Sequence, residues 1–86
     1  MEIVFSDSSK REMQDLEPEL KFLFLEHLEK MQMGPNRMHM KYGIPGHVEK
    51  ATKQARIVYE IKGDLICVLH CFANHKEYER WYKSYK

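Results

Sequence analysis

The sequence predicts an α+β fold: an antiparallel β-sheet with an N-terminal helical hairpin packed on one face and a short C-terminal helix. Three observations predict it. Apolar residues recur at helical spacing between residues 20 and 31, the period changes to two from His47 to Phe72, and aromatic residues recur at helical spacing near the C-terminus. The predicted element order is therefore β-α-α-β-β-β-α, and helices segregated to one face of an antiparallel sheet are typical of this class.

The first two elements are a short strand and a short helix. Ile3 and Phe5 alternate with polar neighbours within Met1–Ser6, which is typical of a strand. The segment Ser6–Ser9 then offers several N-caps, and the last of these serines fits a capping box with Glu12. We therefore expect the first helix to begin at that serine.

The second helix is bounded by prolines. Leu16 ends the first helix because Pro18 disfavours helical geometry at the residue before it, and the same proline suits the first turn of a new helix. Gly34-Pro35 ends that second helix. Phe22 and Leu25 fall outside its buried stripe, so they either widen the core face or contact a partner. The stripe itself is Leu20, Leu23, Phe24, His27, Leu28 and Met31.

The C-terminal half is predicted to form three strands and a helix, preceded by a loop over residues 35–47. An apolar run opens the last strand, which indicates a central position in the sheet. Asn74 caps the final helix, whose aromatic stripe is Tyr78, Trp81, Tyr82 and Tyr85. The three strands are His47–Ala51, Ala55–Ile61 and Leu65–Phe72, with turns at Thr52–Gln54 and Lys62–Asp64.

Length and composition limit the class of protein. With 86 residues, of which 43% are hydrophobic and 31% charged, the chain is predicted to form one domain, residues 1–86, and is neither collagen-like nor disordered. The longest apolar run has four residues, which is too short to span a bilayer. The acidic start lacks the pattern of a secretory signal, so we expect a cytoplasmic protein with no membrane partner.

The two cysteines are predicted to be buried free thiols. If Cys67 and Cys71 share one strand, they lie roughly 13 Å apart, and a disulfide requires Cα atoms within about 7 Å. Their spacing does not suit a zinc site either, and His27, His39 and His47 show no ligand spacing. These spacings therefore offer no candidate metal site.

Charge is distributed unevenly along the chain. The formal net charge is +1, yet residues 1–33 carry eight acids and four bases, whereas residues 34–86 carry five acids and ten bases. The low total argues against strong non-specific affinity for nucleic acid over the whole surface. The basic C-terminal half still allows a local phosphate-binding face, although scattered solvated charges are an equally good interpretation.

Two motifs together with the element order resemble the RelE/ParE toxin superfamily. Arg56–Ile61, with the sequence RIVYEI, is followed by a short turn and the apolar strand that begins at Leu65. His75–Arg80, with the sequence HKEYER, is similar to the basic ending of many members. The motifs cover residues 47–82, and Leu69–Phe72 resembles the penultimate strand of HigB-like members. The resemblance implies the toxin of a toxin–antitoxin pair.

The resemblance also implies alternative activities. RelE-like and HigB-like members are ribosome-dependent endoribonucleases that cleave mRNA and inhibit translation without a metal or an organic cofactor, whereas ParE-like members inhibit DNA gyrase. A non-catalytic binding protein of the same fold is a further alternative. The implied partners are an antitoxin protein, the ribosome and mRNA, and both a homodimer and a toxin–antitoxin hetero-oligomer remain open. We expect the antitoxin to cover the basic face or the helical hairpin.

The resemblance assigns candidate catalytic residues one by one. Arg56 matches an arginine that clamps phosphate, a task suited to a forked and permanently charged guanidinium. Lys50 and Lys53 lie where RelE-like enzymes place basic catalytic residues, and which of them corresponds stays open. Lys76 or His75 matches the basic residue after the last strand. Tyr82, or alternatively Tyr78, matches a tyrosine that transfers a proton or stacks on a base.

Each candidate also has a structural interpretation. Arg56 could pair with Glu60 or with a carboxylate at the edge of the sheet, and we expect its replacement by alanine to relieve growth arrest without unfolding the chain. The two lysines could be solvated residues of an edge strand, and His75 could be a turn residue. The aromatic stripe of the last helix is typical of core packing. Glu49 would partly cancel the field of the neighbouring lysines.

The role of His70 depends on the length of the turn that precedes its strand. A two-residue turn places His70 on the core face with Ile57 and Tyr59, whereas a three-residue turn places it beside Arg56, where it could act as a general base. We favour the core position.

Overall fold

A computed structural model describes residues 1–40 and 43–85 of the chain. The predicted order of strands and helices is confirmed. The elements are β1 (Glu2–Phe5), α1 (Asp7–Asp15), α2 (Pro18–Met33), β2 (His47–Lys50), β3 (Arg56–Lys62), β4 (Leu65–Phe72) and α3 (His75–Ser84). Within these residues, no helix is both long enough and apolar enough to cross a membrane.

The four strands form one sheet in the order β1-β4-β3-β2. As predicted, β2, β3 and β4 form an antiparallel meander. The first strand departs from the prediction of a wholly antiparallel sheet, because β1 pairs with β4 in parallel, from Glu2 opposite Leu65 to Phe5 opposite Val68. A parallel neighbour needs a long crossover connection, which the helices and the first hairpin provide. Alternation of apolar and polar residues does not show whether a strand is parallel or antiparallel to its neighbour, so the parallel pairing of β1 could not be predicted from the sequence.

The connection between β3 and β4 combines a two-residue turn with a bulge. Lys62 pairs with Leu65 across Gly63-Asp64, and Gly63 has a φ of 60°, which glycine adopts without strain. Further along, Tyr59 pairs with Val68 but Val58 pairs with His70, so β4 contributes one unpaired residue between them. A bulge of this kind reverses the faces of all subsequent side chains relative to a regular ladder.

The sheet has an apolar layer on each face. The hairpin face is covered by α1 and α2, and the α3 face is covered by α3 together with Met40 and Ile44. The hairpin face includes Phe24, Leu28, Met31, Ile57, Tyr59, Ile66, Val68 and Cys71. The α3 face includes Met40, Ile44, Val48, Val58, Phe72, Tyr78 and Tyr82.

The start of α1 differs from the predicted capping box. Ser6 is the N-cap: its hydroxyl accepts a hydrogen bond from the Ser9 backbone N–H at 3.0 Å. Ser9 lies inside the helix, fully buried, and its hydroxyl donates to the carbonyl groups of Ser6 and Val68. The sequence did not distinguish them, because all four residues from Ser6 to Ser9 are competent N-caps. In the structure, the Ser6 hydroxyl also donates to the Leu69 carbonyl of β4, which favours Ser6 as the cap.

The buried stripe of α2 is narrower than predicted. Phe24, Leu28 and Met31 are buried on the hairpin face, but Leu23 is 38% exposed. The two residues predicted to lie outside the stripe, Phe22 and Leu25, are 63% and 50% exposed. They therefore do not widen the core, and α2 carries apolar side chains on its solvent side.

The two cysteines are free, as predicted, and lie on opposite faces of β4. Burial raises the pKa of the Cys71 thiol to about 12, and the nearby charge of Glu12 adds to this effect. At pH 8 about one Cys71 thiol in ten thousand is then ionised, so we expect iodoacetamide to modify Cys67 and leave Cys71 unmodified in the folded protein. Peptide mass mapping before and after addition of urea measures this, and equal labelling of both cysteines in the native protein would contradict it.

Candidate functional site

Five of the six predicted site residues, all except Tyr82, lie at one end of the sheet. Lys50 at the end of β2 pairs with Arg56 at the start of β3, and Arg56 in turn pairs with Phe72 at the end of β4. Lys53 lies in the loop that joins β2 to β3, and α3 begins three residues after Phe72, with His75 and Lys76. Five basic residues from four segments thus lie at what we call the cationic end of the sheet: Lys50, Lys53, Arg56, His75 and Lys76.

Arg56 is buried and binds the main chain of its own loop. Its side chain points to the α3 face and is 7% exposed. The Nη1 group donates to the carbonyl oxygens of Thr52 and Lys53 at 3.1 Å and of Ala55 at 3.0 Å. The expected alternative, an ion pair with Glu60, does not form, since Glu60 contacts Lys62 at 3.7 Å. Arg56 therefore stabilises the β2–β3 loop, and its Nη1 is committed to that role.

The lysines of the cationic end are more accessible than the arginine. Lys50, Lys53 and Lys76 are exposed, and their ammonium groups form no ion pair or hydrogen bond with the part of the chain that the structure describes. They are therefore available to a phosphate. Lys50 and Glu49 lie on opposite faces of β2, because Glu49 points to the hairpin face.

Glu49 belongs to a polar network under the helical hairpin. Its carboxylate contacts His27 Nδ1 at 2.8 Å and accepts a hydrogen bond from the Asn36 amide. Asn36 Oδ1 accepts from the Tyr59 hydroxyl at 3.0 Å, and that hydroxyl accepts from the Arg37 backbone N–H at 3.1 Å. Burial raises the pKa of Tyr59, which keeps this hydroxyl neutral. The network ties Asn36 and Arg37 to the sheet and holds the Glu49 carboxylate on the opposite face of β2 from Lys50.

The tyrosines of α3 lie in the core of the α3 face. Tyr78 and Tyr82 are 6% and 5% exposed, and their rings meet edge to face with centroids 4.9 Å apart. Burial raises the pKa of Tyr78, with Tyr82 acting in the same direction and the charge of Arg56 acting against it. His75 lies edge-on to Tyr78 at 5.9 Å. Tyr78 therefore stays protonated at neutral pH, and both rings contribute packing area.

His70 lies on the face of Arg56, which corrects the expected core position. Of the two turn lengths considered, the two-residue turn is present, but the bulge in β4 reverses the parity, so His70 pairs with Val58. Its ring stacks on Phe72 with centroids 5.2 Å apart and tilts against Trp81 at 5.1 Å. Its Nδ1 contacts both carboxylate oxygens of Glu12, at 3.1 and 3.3 Å. This contact fixes the orientation of the imidazole ring.

Glu12 is the residue of this region that sequence reasoning missed. Beyond the end of β1, the backbone N–H of Cys71 has no strand partner, and it donates instead to Glu12 Oε1 at 2.8 Å. Glu12 thus replaces a β1 residue at the edge of β4 and orients His70 at the same time. Its spacing from Ser9 suggested a capping role, and no signal in the sequence connects it to a strand 59 residues away.

Replacing Glu12 with alanine is expected to lower the free energy of unfolding by about 1–2 kcal/mol. The reason is that the Cys71 N–H is left without a partner in a partly buried position. Urea denaturation followed by circular dichroism measures the effect. Glu19→Ala is the matched control, since Glu19 is exposed, and it should change stability by less than about 0.5 kcal/mol. Equal midpoints for the two variants would show that Glu12 does not hold the strand edge.

The main cavity near this region is a groove of about 530 Å³ between α1 and α3. It is lined by Glu12, Asp15, Leu16, Cys71, Phe72, Ala73, Glu77, Arg80, Trp81 and Ser84. None of the basic residues of the cationic end lines it or the two hollows beside α2. The basic residues of the cationic end are therefore grouped at one end of the sheet, but they do not line any of these three cavities. In residues 1–40 and 43–85, no group of three His, Cys, Asp or Glu side chains is arranged to hold a metal ion.

The strand order, the helical hairpin on one face and the C-terminal helix on the other define the RelE/ParE-like toxin fold. Over 86% of this chain and 97% of the other, the structure is similar to a YoeB dimer from Staphylococcus aureus (TM-score 0.70, 15% identity). It is also similar to a YoeB/ParE toxin from Agrobacterium tumefaciens over 84% and 96% of the two chains (TM-score 0.71, 18% identity).

A third similar structure is the intact RelBE toxin–antitoxin complex from E. coli, with a TM-score of 0.71 and 17% identity. The match covers 83% of this chain and 93% of that chain. No protein-family model matches the sequence, and no curated protein matches it either. The expected RelE/ParE-like fold is thus confirmed by structure.

Proposed function

We propose that this protein is the toxin of a type II toxin–antitoxin system and acts in the cytoplasm as a ribosome-dependent endoribonuclease that cleaves mRNA and inhibits translation. The fold, shared with the YoeB and RelBE structures, supports the toxin role. The observation that carries the nuclease proposal is the cationic end, where exposed lysines without ion pairs lie beside the start of α3. An antitoxin protein is the proposed partner.

Cleavage of an RNA chain at a 2′-hydroxyl requires a base, stabilisation of the charged phosphorane and an acid for the 5′-oxygen. Lys50, Lys53 and Lys76 suit the second task, because their ammonium groups are exposed to a bound phosphate. His75 suits proton transfer, since it is partly exposed at the start of α3. Arg56 acts as a positioning residue: it fixes the loop that carries Lys53, and it binds carbonyl groups at Nη1.

A second candidate is a ParE-like inhibitor of DNA gyrase or another binding protein that catalyses no reaction. The burial of Arg56, Tyr78 and Tyr82 favours it, because three of the residues matched to catalytic roles are packed in the α3 face. In this case the exposed lysines would bind the target and would carry out no proton transfer.

Mapping transcript 5′ ends after induction in a bacterial host separates the two candidates. The nuclease predicts new ends at codon positions that disappear when translation is blocked before induction. The inhibitor predicts intact transcripts together with DNA-damage signalling. If growth continues normally and neither response occurs at full expression of folded protein, the toxin proposal itself is wrong.

A further inference from the structure

The groove between α1 and α3 lies next to the cationic end of the sheet. It is lined by Phe72, which pairs with Arg56, and by Glu77, which follows Lys76 in the first turn of α3. Its volume of about 530 Å³ is within the range of ligand-binding clefts, about 300–1,000 Å³. One molecule can therefore contact the cationic end and place a part of itself in this groove.

An aromatic ring lines the groove on its α3 side. Trp81 is partly exposed there, and neighbouring rings hold it in place. The ring centroid of Trp81 lies 5.8 Å from that of Phe72, 5.7 Å from that of Tyr85 and 5.1 Å from that of His70. A ring that is fixed by its neighbours offers a rigid surface on which a planar ligand can stack.

The groove also carries charges of both signs that are not paired with each other. Asp15 lines it from the last turn of α1, and Glu77 and Arg80 line it from α3. Among the residues that the structure describes, none forms an ion pair or hydrogen bond with these two carboxylates or with this guanidinium. The remaining charged residue of the lining, Glu12, is already in contact with His70 and with the backbone of β4.

This set of charges selects a neutral ligand. Of the lysines and arginines on α1 and α3, only Arg80 lines the groove, and Lys10, Arg11, Lys76 and Lys83 lie outside its lining. A phosphate in the groove would meet more carboxylates than cations, and an organic cation would meet the unpaired guanidinium. A planar neutral group that both donates and accepts hydrogen bonds satisfies both signs.

We propose that the groove binds a guanine base stacked on Trp81. Guanine presents two adjacent donors, N1–H and the N2 amino group, which a carboxylate accepts as a pair, and its O6 and N7 are acceptors that arginine binds as a pair. A free carboxylate, of Asp15 or of Glu77, receives the donor edge, and Arg80 donates to the acceptor edge. Stacking suits every base, whereas adenine, cytosine and uracil have no pair of adjacent N–H donors on one edge.

Two sources present this base: a residue of a bound RNA and a free nucleoside. The inference rests on the proposed function only in naming RNA as one of these sources. An RNA places its phosphates against the exposed lysines of the cationic end while one base enters the groove. A free nucleoside makes the groove contacts alone.

The test uses the fluorescence of Trp81, which reports occupation of the groove directly because it is the only tryptophan of the chain. The full-length protein is titrated with guanosine, adenosine, cytidine and uridine, and with short oligouridylates that carry one central guanosine or one central adenosine. The same titrations are made with Asp15→Asn/Glu77→Gln, because an amide has only one acceptor oxygen. The control, Glu26→Gln/Glu29→Gln, removes the same charge from exposed positions of α2. Circular dichroism verifies that each variant is folded.

We expect guanosine to bind roughly tenfold or more tightly than the other nucleosides, since one bidentate pair gives about that discrimination. Asp15→Asn/Glu77→Gln should remove the preference, and the control should keep it. If RNA is the source, the oligonucleotide with guanosine binds more tightly than guanosine, and replacing the three lysines of the cationic end with alanine removes the gain. If a free nucleoside is the source, both bind equally tightly.

The proposal is overturned by equal affinity for all bases in both formats, or by unchanged tryptophan fluorescence in every titration. A preference for guanine that survives the loss of the two carboxylates, or that is lost equally in the control, would also overturn it. The titrations need neither ribosomes nor growth arrest, so a failure of the toxin proposal leaves the binding result interpretable.

Discussion

Replacing Arg56 with alanine is expected to lower the free energy of unfolding by about 2–3 kcal/mol. The Arg56 guanidinium is nearly buried, and its Nη1 satisfies three carbonyl groups of the β2–β3 loop. Alanine leaves those carbonyl groups without this donor and creates a space beside Tyr78. For a chain of this size the thermal midpoint should fall by roughly 10–20 °C. Thermal and urea denaturation followed by circular dichroism measure both quantities.

Two further variants show whether the effect belongs to the guanidinium. Arg56→Lys keeps a cation but loses the fork, so it should lose about half as much stability. Lys62→Ala removes an exposed cation from the same strand, whose contact with Glu60 is 3.7 Å long, and should change stability by less than about 0.5 kcal/mol. If Arg56→Ala unfolds at the same midpoint as Lys62→Ala, the loop does not depend on Arg56.

This stability effect changes how a growth assay of Arg56→Ala is interpreted. From the sequence we expected the variant to lose toxicity and remain folded. In the structure, lost toxicity follows from a destabilised loop even if Arg56 never contacts a phosphate. The variant must therefore be compared at equal levels of folded protein, and it is a weaker test of catalysis than substitution of the exposed lysines.

Local patterns in the sequence predicted the elements well, but contacts between distant segments decided the site. The spacing of Phe24, Leu28 and Met31 identified the core side of α2, and alternation identified the strands. The predicted position of His70 was wrong because a single unpaired residue in β4 moves the His70 side chain to the other face of the sheet. No residue type in the sequence predicts such a bulge. Glu12 was missed because its role depends on where β1 stops, which only the parallel register shows.

The same limit applies to the candidate catalytic residues. The matching motif identified Arg56 by its place at the start of β3, and that place is confirmed. Its guanidinium could not be placed from sequence, because the acceptors are main-chain carbonyl groups that exist only once the loop is folded. Tyr82 was matched in the same way, and its aromatic spacing already offered core packing as the alternative that the structure shows.

Under the proposed nuclease function, replacing Lys50, Lys53 and Lys76 together with alanine is expected to abolish growth arrest while leaving the protein folded. The three side chains are exposed, and their ammonium groups bind no described residue, so the free energy of unfolding should change by less than about 1 kcal/mol. If each ammonium contacts one phosphate and contributes about 1 kcal/mol, affinity for RNA on the ribosome falls roughly 100-fold. Co-sedimentation with ribosomes measures it, and the salt dependence should weaken by about one unit of slope per lysine removed.

The matched control is the triple variant Lys10→Ala/Lys21→Ala/Lys30→Ala, which removes the same charge from the helical hairpin. It should keep both growth arrest and ribosome binding, because those lysines lie on α1 and α2, away from the cationic end. Equal losses in both variants would mean that overall charge, and not this end of the sheet, attracts the target. Full toxicity in the first variant would remove the lysines from the mechanism, and a toxin with this fold would then act through a different surface.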